Sequence, residues 1–225
     1  MPSISFKIGD AFPADDPVAR FMTIVAMISN DWQRLAQRMV ELDDAECAQE
    51  DARAEQAALL IENYRLQGAL HYEAARCLKL TYERFGEIRT FVDGLPAEAI
   101  DEYRLVVGGV TPDSPHYHGK WLSDARNATF HYSKLNRRER VGMGLTATAE
   151  EIGVISFDDA IATVRFGFAD KVALEWLGGS KPEAETAARM VELREAVMAM
   201  TQFAQRAMGA YLASRGIELP AKRSI

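Results

Sequence analysis

Apolar side chains recur every three or four residues over long stretches of the chain, and this spacing constrains the fold most. The stripes comprise Phe21, Val25, Ile28, Trp32, Leu35, Met39 and Leu42; His71, Ala75, Leu78, Tyr82, Phe85, Ile88 and Val92; and Met190, Leu193, Val197, Met200, Ala204, Ala207 and Tyr211. Because an α-helix turns once in about 3.6 residues, side chains at this spacing share one helical face. The sequence therefore predicts an all-α protein, a multi-helix bundle with long antiparallel helices.

Helix boundaries follow from capping residues and from breaks in the pattern. Asp15 or Asp16 can cap a first long helix, with Pro17 at its first position. The sequence predicts further helices over about 50–92, 97–107, 115–133, 137–151, 169–179 and 182–214. The segment "DGLP" at 93–96 ends the helix predicted over 50–92.

One segment departs from the helical pattern. Residues 153–168, "GVISFDDAIATVRFGF", contain two β-branched, alternating runs around "DD", which indicates a small β-hairpin insertion. No internal repeat or flexible linker interrupts the chain, so we expect a single helical-bundle domain over 1–225. The regular C-terminal stripe is typical of a core or a dimer interface, and burial between two chains would be the simplest way to cover it.

A polar stretch, "DARNATFHYSKLNRRER", interrupts this apolar patterning. His131 can exchange a proton near neutral pH, and Arg126 can stabilise charge on a phosphate. Asn127 can orient the histidine or contact substrate, and Tyr132 can bond to phosphate or sugar, or pack. Cations follow directly: Lys134, Arg137 and Arg138. Such a run forms either a solvated face or an RNA-binding one, and in the second case it would steer the RNA backbone without reading sequence.

The spacing "RNATFH" resembles the Arg-x4-His motif of the HEPN superfamily, with Asn127 in the polar position after Arg126. The resemblance implies a helical-bundle domain that dimerises and brings two motifs together across a cleft. Many members are ribonucleases, and others keep the fold as binding modules. The resemblance assigns Arg126, Asn127 and His131 to catalysis. The charge and position of the residues that follow, Tyr132, Lys134, Arg137 and Arg138, make them candidates for binding.

Two hypotheses follow. The first is a homodimeric, metal-independent endoribonuclease, a hydrolase that leaves a 2',3'-cyclic phosphate end. The second is a non-catalytic helical module that binds nucleotide or RNA, or that serves as a scaffold for a regulatory partner protein. A catalyst needs Arg126 and His131 exposed in a shared cleft, whereas a scaffold allows both to be buried or locked in salt bridges.

Charge and residue spacing argue against several other kinds of binding protein. Lys plus Arg is 26 and Asp plus Glu is 33, a net charge of -7, which argues against a general nucleic-acid-coating protein. His116 and His118 lie two apart, so they would face different ways on a helix, and "GMGLTA" lacks the apolar strand that a dinucleotide site requires. We expect no metal and no cofactor.

The N-terminus is polar and acidic, without the apolar core of a signal peptide. No run approaches the roughly 20 apolar residues that cross a bilayer. Only two cysteines occur, Cys47 and Cys77, which fits a reducing compartment. The sequence therefore predicts a cytoplasmic protein with no membrane contact.

Overall fold

Helices dominate the part of the chain that the structure describes. The structure is a computed structural model, and it describes residues 5–43, 50–118, 122–123, 126, 155–156, 165–166 and 183–217. Its helices are α1 Ile8–Ala11, α2 Pro17–Asp43, α3 Glu50–Arg84, α4 Gly86–Asp93, α5 Ala97–Gly108 and α6 Glu183–Ser214. The predicted all-α class is confirmed. The helices predicted near 137–151 and 169–179 lie outside the described residues.

Two short strands pair in the segment for which the sequence predicts a hairpin. Strand β1 is Ile155–Ser156 and strand β2 is Arg165–Phe166. They run antiparallel, with Ile155 opposite Phe166 and Ser156 opposite Arg165. The residues between them lie outside the described part of the chain.

The chain divides into two compact units, each assembled from separated stretches. Unit 1 comprises Met1–Trp32, Ala74–Tyr117 and Ala196–Ile225, and unit 2 comprises Gln33–Glu73 and His118–Glu195. The long helices α2, α3 and α6 each contribute residues to both units. The expectation of a single domain over 1–225 stays a prediction.

The start of α2 shows how sequence sets local structure in unit 1. The Asp16 carboxylate oxygen Oδ1 accepts a hydrogen bond from the Val18 backbone N–H at 2.8 Å, and Pro17 is the first helical residue. Asp16 is thus the N-cap, because it satisfies an N–H that the helix itself cannot. Of the two candidate caps in the sequence, the structure selects Asp16.

The apolar stripes face the interior of the chain. Buried side chains of α2 and α3 include Phe21, Val25, Ile28, Trp32, His71, Ala75 and Leu78. The C-terminal stripe is buried as well, at Leu193, Met200, Ala204, Ala207 and Tyr211. Among the described side chains, the chain itself buries these members of the stripe, which agrees with the core alternative. The homodimer stays a prediction.

An aromatic cluster links three helices in unit 1. The Tyr103 ring of α5 lies 5.5 Å from the Tyr82 ring of α3 and 5.4 Å from the Phe203 ring of α6, between centroids. The Tyr103 hydroxyl donates a hydrogen bond to the Leu78 carbonyl at 3.2 Å. Burial, together with nearby negative charge, raises the pKa of the Tyr103 hydroxyl well above its usual value. The hydroxyl is therefore a fixed, neutral donor within the core.

The end of α6 fastens the N-terminal segment of unit 1. The Tyr211 hydroxyl donates to the Ala11 carbonyl at 2.8 Å, and its ring packs 5.2 Å from that of Phe12. Arg215 forms an ion pair with Asp16, the cap of α2. These contacts join residues about 200 positions apart in sequence.

Within unit 2, polar side chains connect α3 to α2. Asn63 is buried, and its amide Nδ2 donates to the Leu35 carbonyl at 3.3 Å. The Gln56 amide likewise donates to the Leu42 carbonyl. Each bond satisfies a carbonyl in the second half of α2 with a side chain from α3.

Two predicted helix boundaries are wrong. The helix predicted over 50–92 breaks at Phe85, whose extended backbone (φ -117°, ψ 114°) separates α3 from α4. Phe85 is 47% exposed and does not continue the buried stripe. The helix predicted from Pro115 begins later, because 115–118 form turn and irregular structure, and Leu122 N–H donates to the His118 carbonyl at 3.0 Å.

Gly108 ends α5 at a close approach to the following loop. A Cβ at this position would lie 2.6 Å from Ser114 Oγ and 3.1 Å from His116 Cβ. Ser114 Oγ already accepts a hydrogen bond from the His116 backbone N–H at 3.1 Å, so it cannot rotate away without losing that bond. Only glycine fits here without displacing the loop.

We therefore expect Gly108→Ala to lower the free energy of unfolding by about 1–2 kcal/mol, since the overlap outweighs the helix propensity gained. Chemical denaturation would measure this. Gly86→Ala is the matched control, because a Cβ there meets nothing within 4 Å. It should be neutral or stabilise by up to about 1 kcal/mol. Equal effects of the two substitutions would contradict the steric explanation.

Candidate functional site

Arg126 is the one predicted site residue that the described part of the chain contains. Its backbone is helical and its side chain is half-buried. The other predicted site residues lie outside the described residues: Asn127, His131, Tyr132, Lys134, Arg137 and Arg138. Whether they join Arg126 in one site stays a prediction. The described part of the candidate site consists of Arg126 and its neighbours in unit 2.

The Arg126 guanidinium forms an ion pair with a carboxylate of α3. Its Nε donates a hydrogen bond to Oε1 of Glu73. The side chain of Arg126 is 19% exposed, and that of Glu73 is 43% exposed. A charge-assisted bond of this kind fixes direction as well as distance, because the guanidinium donors lie in one plane.

The adjacent residue on α3, Tyr72, places its ring beside the same guanidinium. The Arg126 Cζ lies over this ring, 5.6 Å from its centroid. This is a cation–π distance, at which the ring's negative face attracts the cation. Tyr72 and Glu73 thus both contact Arg126, the ring near Cζ and the carboxylate at Nε.

Helix α3 places these two residues at the margin of its buried face. His71 is 1% exposed, whereas Tyr72 and Glu73 are half-buried. Because each helical residue is rotated by about 100° from the last, consecutive side chains pass from the core to the edge. The position of Arg126 is therefore set by a helix that the core itself holds.

A second ion pair in unit 2 joins His118 to α6. His118 Nδ1 lies 3.3 Å from Oε2 of Glu192, with both side chains partly exposed. The His118 carbonyl accepts a hydrogen bond from the Leu122 N–H at 3.0 Å. When His118 is protonated, the pair is a salt bridge between His118 and α6.

His71 is the buried histidine of unit 2. Burial, and secondly the positive charge of His118, lower the pKa of His71 to about 3. It is therefore neutral at physiological pH.

The described residues contain neither a metal-binding group nor a helix that could cross a membrane. Their side chains include no group of three or more histidine, cysteine, aspartate or glutamate residues that could hold a metal ion. Among these residues, the helices are all too short or too polar to cross a membrane.

Sequence patterns alone miss Tyr72, Glu73 and the His118–Glu192 pair. Glu73 precedes its partner Arg126 by 53 residues, and helical periodicity carries no information over that distance. In the sequence, His118 stands out only as a possible metal ligand together with His116. The signal within the sequence is limited to an aromatic and an acid beside His71 on a predicted helix.

Comparison with known proteins gives no assignment. No protein-family description matches this chain. Neither a curated protein nor a solved structure matches it either. The HEPN resemblance therefore rests on "RNATFH" and on the helical class, and membership of the superfamily stays an expectation.

Proposed function

We propose that the chain is a metal-independent endoribonuclease of HEPN type that acts as a homodimer. The observation that carries the proposal is the placement of Arg126. Its backbone is helical, it lies five residues before His131, and residues of another helix hold its guanidinium. Five residues correspond to about 140° around an ideal helix, which is unfavourable for direct contact between Arg126 and His131 within one regular helix. A bent arginine side chain, a helix end near His131 or a dimer would each bring the pair together. The proposal takes the dimer, in which two chains supply the pair to one phosphate.

The reaction needs no water and no metal in its first step. The 2'-oxygen of RNA attacks its own phosphorus and loses its proton to a general base, while the bond from phosphorus to the 5'-oxygen breaks. The departing 5'-oxygen takes a proton from a general acid, which leaves a 2',3'-cyclic phosphate and a 5'-hydroxyl. His131 would serve as the acid or base, and Arg126 would stabilise the charge of the pentacoordinate transition state.

The neighbouring residues take supporting roles in this proposal. Asn127 would orient His131 or the phosphate, and Tyr132 would bond to substrate or support the histidine. Lys134, Arg137 and Arg138 would attract the RNA backbone through charge, without reading its sequence. This local basic run would offset the overall charge of -7 near the cleft.

One observation favours the non-catalytic candidate. Arg126 is ion-paired with Glu73 and its side chain is only 19% exposed, which is the arrangement expected of a binding or scaffold module. An RNA phosphate would have to share the guanidinium with this carboxylate. The second candidate is thus a helical module that binds nucleotide or RNA, or that binds a regulatory partner protein, without cleavage.

Cleavage of a mixed RNA pool in the presence of chelator distinguishes the candidates. We expect wild type to yield 2',3'-cyclic ends, read by mass spectrometry. Arg126→Ala should slow cleavage by about 10²–10³-fold, and His131→Ala by about 10²–10⁴-fold. Arg206→Ala is the matched control, since Arg206 is also paired with a glutamate, Glu102, at 2.9 Å but in unit 1. It should keep the wild-type rate.

Sedimentation of the same samples would report the dimer. A folded wild type that binds RNA and leaves it intact would favour the non-catalytic candidate. Cleavage that persists unchanged in both motif variants would assign the activity elsewhere and contradict the proposed roles.

A further inference from the structure

We infer that Tyr72 and Glu73 form a clamp that positions Arg126 for a phosphate. This clamp is defined as the Tyr72 ring and the Glu73 carboxylate, consecutive side chains of α3. The inference rests on the proposed function, because it assigns the clamp a role in that reaction. Tyr72 and Glu73 are positioning residues, which act through Arg126 without touching the substrate.

The two contacts restrict different motions of the guanidinium. The carboxylate at Nε sets the rotation of the group within its own plane. The ring, 5.6 Å from Cζ, limits how far the cation can move along α3 and away from it. A long arginine side chain loses considerable rotamer freedom when it binds a ligand, and a group that is already oriented loses less.

Which nitrogen of Arg126 donates to Glu73 determines which of its N–H groups can still bind a phosphate. A guanidinium carries one N–H at Nε and two terminal NH₂ groups, arranged as a planar fork. The bond to Glu73 uses Nε. In a planar guanidinium the edge between the two terminal nitrogens lies on the opposite side of Cζ from Nε. That outer edge can donate two parallel hydrogen bonds to a phosphate. Glu73 can therefore hold Arg126 without occupying the edge that suits the substrate.

A purely structural role explains the contacts less well. Glu73 is 43% exposed, and ion pairs with a partner in water contribute little to folding. Tyr72 is only half-buried, so its removal exposes little core. Loss of either side chain should leave the fold intact while it frees the guanidinium to reorient.

Steady-state RNA cleavage by four variants tests the clamp. We expect Glu73→Ala and Tyr72→Leu to lower kcat about 10–100-fold with KM changed less than about threefold, because misplacement of a positioned group costs rate. Glu73→Gln keeps an acceptor for Nε–H, and Tyr72→Phe keeps the ring, so both should retain kcat within about threefold. Glu102→Ala, which removes the partner of Arg206 in unit 1, is the matched control and should leave kcat unchanged.

A spectroscopic readout reports the clamp independently of turnover. The Nε–H resonance of Arg126, assigned by its loss in Arg126→Lys, should exchange slowly with water in wild type and in Glu73→Gln. It should exchange rapidly in Glu73→Ala. If Glu73→Ala fails to fold, the kcat of Tyr72→Leu still tests the clamp, because this variant removes the ring that contacts Arg126.

The outcomes separate the clamp from the proposed function. A folded wild type that leaves RNA intact overturns the proposed function, and the inference with it. A wild type that cleaves, with Glu73→Ala and Tyr72→Leu equally fast, overturns the inference alone. A Glu73→Gln variant that exceeds the wild-type kcat by more than about threefold also overturns it, because Glu73 would then restrain Arg126 by its charge.

Discussion

When the pH falls from about 7.5 to about 4.5, the free energy of unfolding of wild type is expected to decrease by about 2.5 kcal/mol more than that of a His71→Gln variant. The reason is the burial of His71, which lowers its pKa from 6.5 to about 3 in the folded chain. In the unfolded chain the imidazole is in water and binds a proton near pH 6.5. Acid therefore favours the unfolded state, which alone accepts the proton.

The window of this effect follows from the two pKa values. Above about pH 6.5 His71 is neutral in both states, and its contribution to stability is fully present. Between about pH 6.5 and 3 that contribution is lost, at about 1.4 kcal/mol per pH unit. Below the folded pKa both states are protonated and the loss levels off.

Urea denaturation of wild type and variants at both pH values would measure the difference. His116→Gln is the matched control, since His116 is exposed and its surroundings change little on unfolding. Its stability should follow that of wild type at both pH values. Parallel curves for wild type and His71→Gln would show that His71 accepts protons in the folded chain, contrary to its burial.

Phe203→Ala is expected to lower the free energy of unfolding by about 3–5 kcal/mol. Phe203 is fully buried, and its ring packs 5.4 Å from that of Tyr103 in the aromatic cluster of unit 1. Truncation removes apolar contact and leaves a cavity beside Tyr103, whose hydroxyl bond to Leu78 limits how far the ring can move inward. The site can therefore collapse only in part.

Chemical denaturation at neutral pH would measure this loss. Met198→Ala, on the same helix but 51% exposed, is the matched control and should change stability by less than about 0.5 kcal/mol. A loss below about 1 kcal/mol for Phe203→Ala would mean that neighbouring side chains fill the space. In that case the aromatic cluster would be less rigid than its packing indicates.

The helical class and several helix ends could be predicted because short-range physics determines them. Asp16 and Pro17 mark the start of α2, since the cap bond reaches only two residues along the chain. The apolar spacing identifies buried positions such as Val25 and Leu78 because a helix presents them on one face. Ser214 was predicted as the end of α6 and is its last residue.

The break between α3 and α4 could not be predicted from periodicity. Ile88 and Val92 are buried and keep helical spacing with Leu78, so the apolar stripe passes through the interruption. Only Gly86, a poor helix former, indicates the break locally. Tertiary packing decides whether such a glycine is tolerated within a helix or begins a new one.

The candidate site was only partly accessible from the sequence. Arg126 could be predicted because its charge can stabilise a phosphate and because "RNATFH" resembles a known motif. Its partners Tyr72 and Glu73 could not be assigned, since their meeting with Arg126 depends on how unit 2 folds. Side-chain chemistry is local information, whereas pairing over 53 residues is a property of the tertiary structure.

The interleaving of the two units restricts how the protein can be dissected. Glu73 is the last residue of the first stretch of unit 2, and the second stretch begins at His118. The stretch Ala74–Tyr117 of unit 1 therefore lies between Glu73 and Arg126 along the chain. Any contiguous gene fragment that encodes both therefore also encodes this middle stretch of unit 1. A fragment that stops before Ala196 would leave residues such as Leu78 and Tyr103 without Phe203 and its helix. Minimal versions of this protein are better sought by point substitution than by shortening its reading frame.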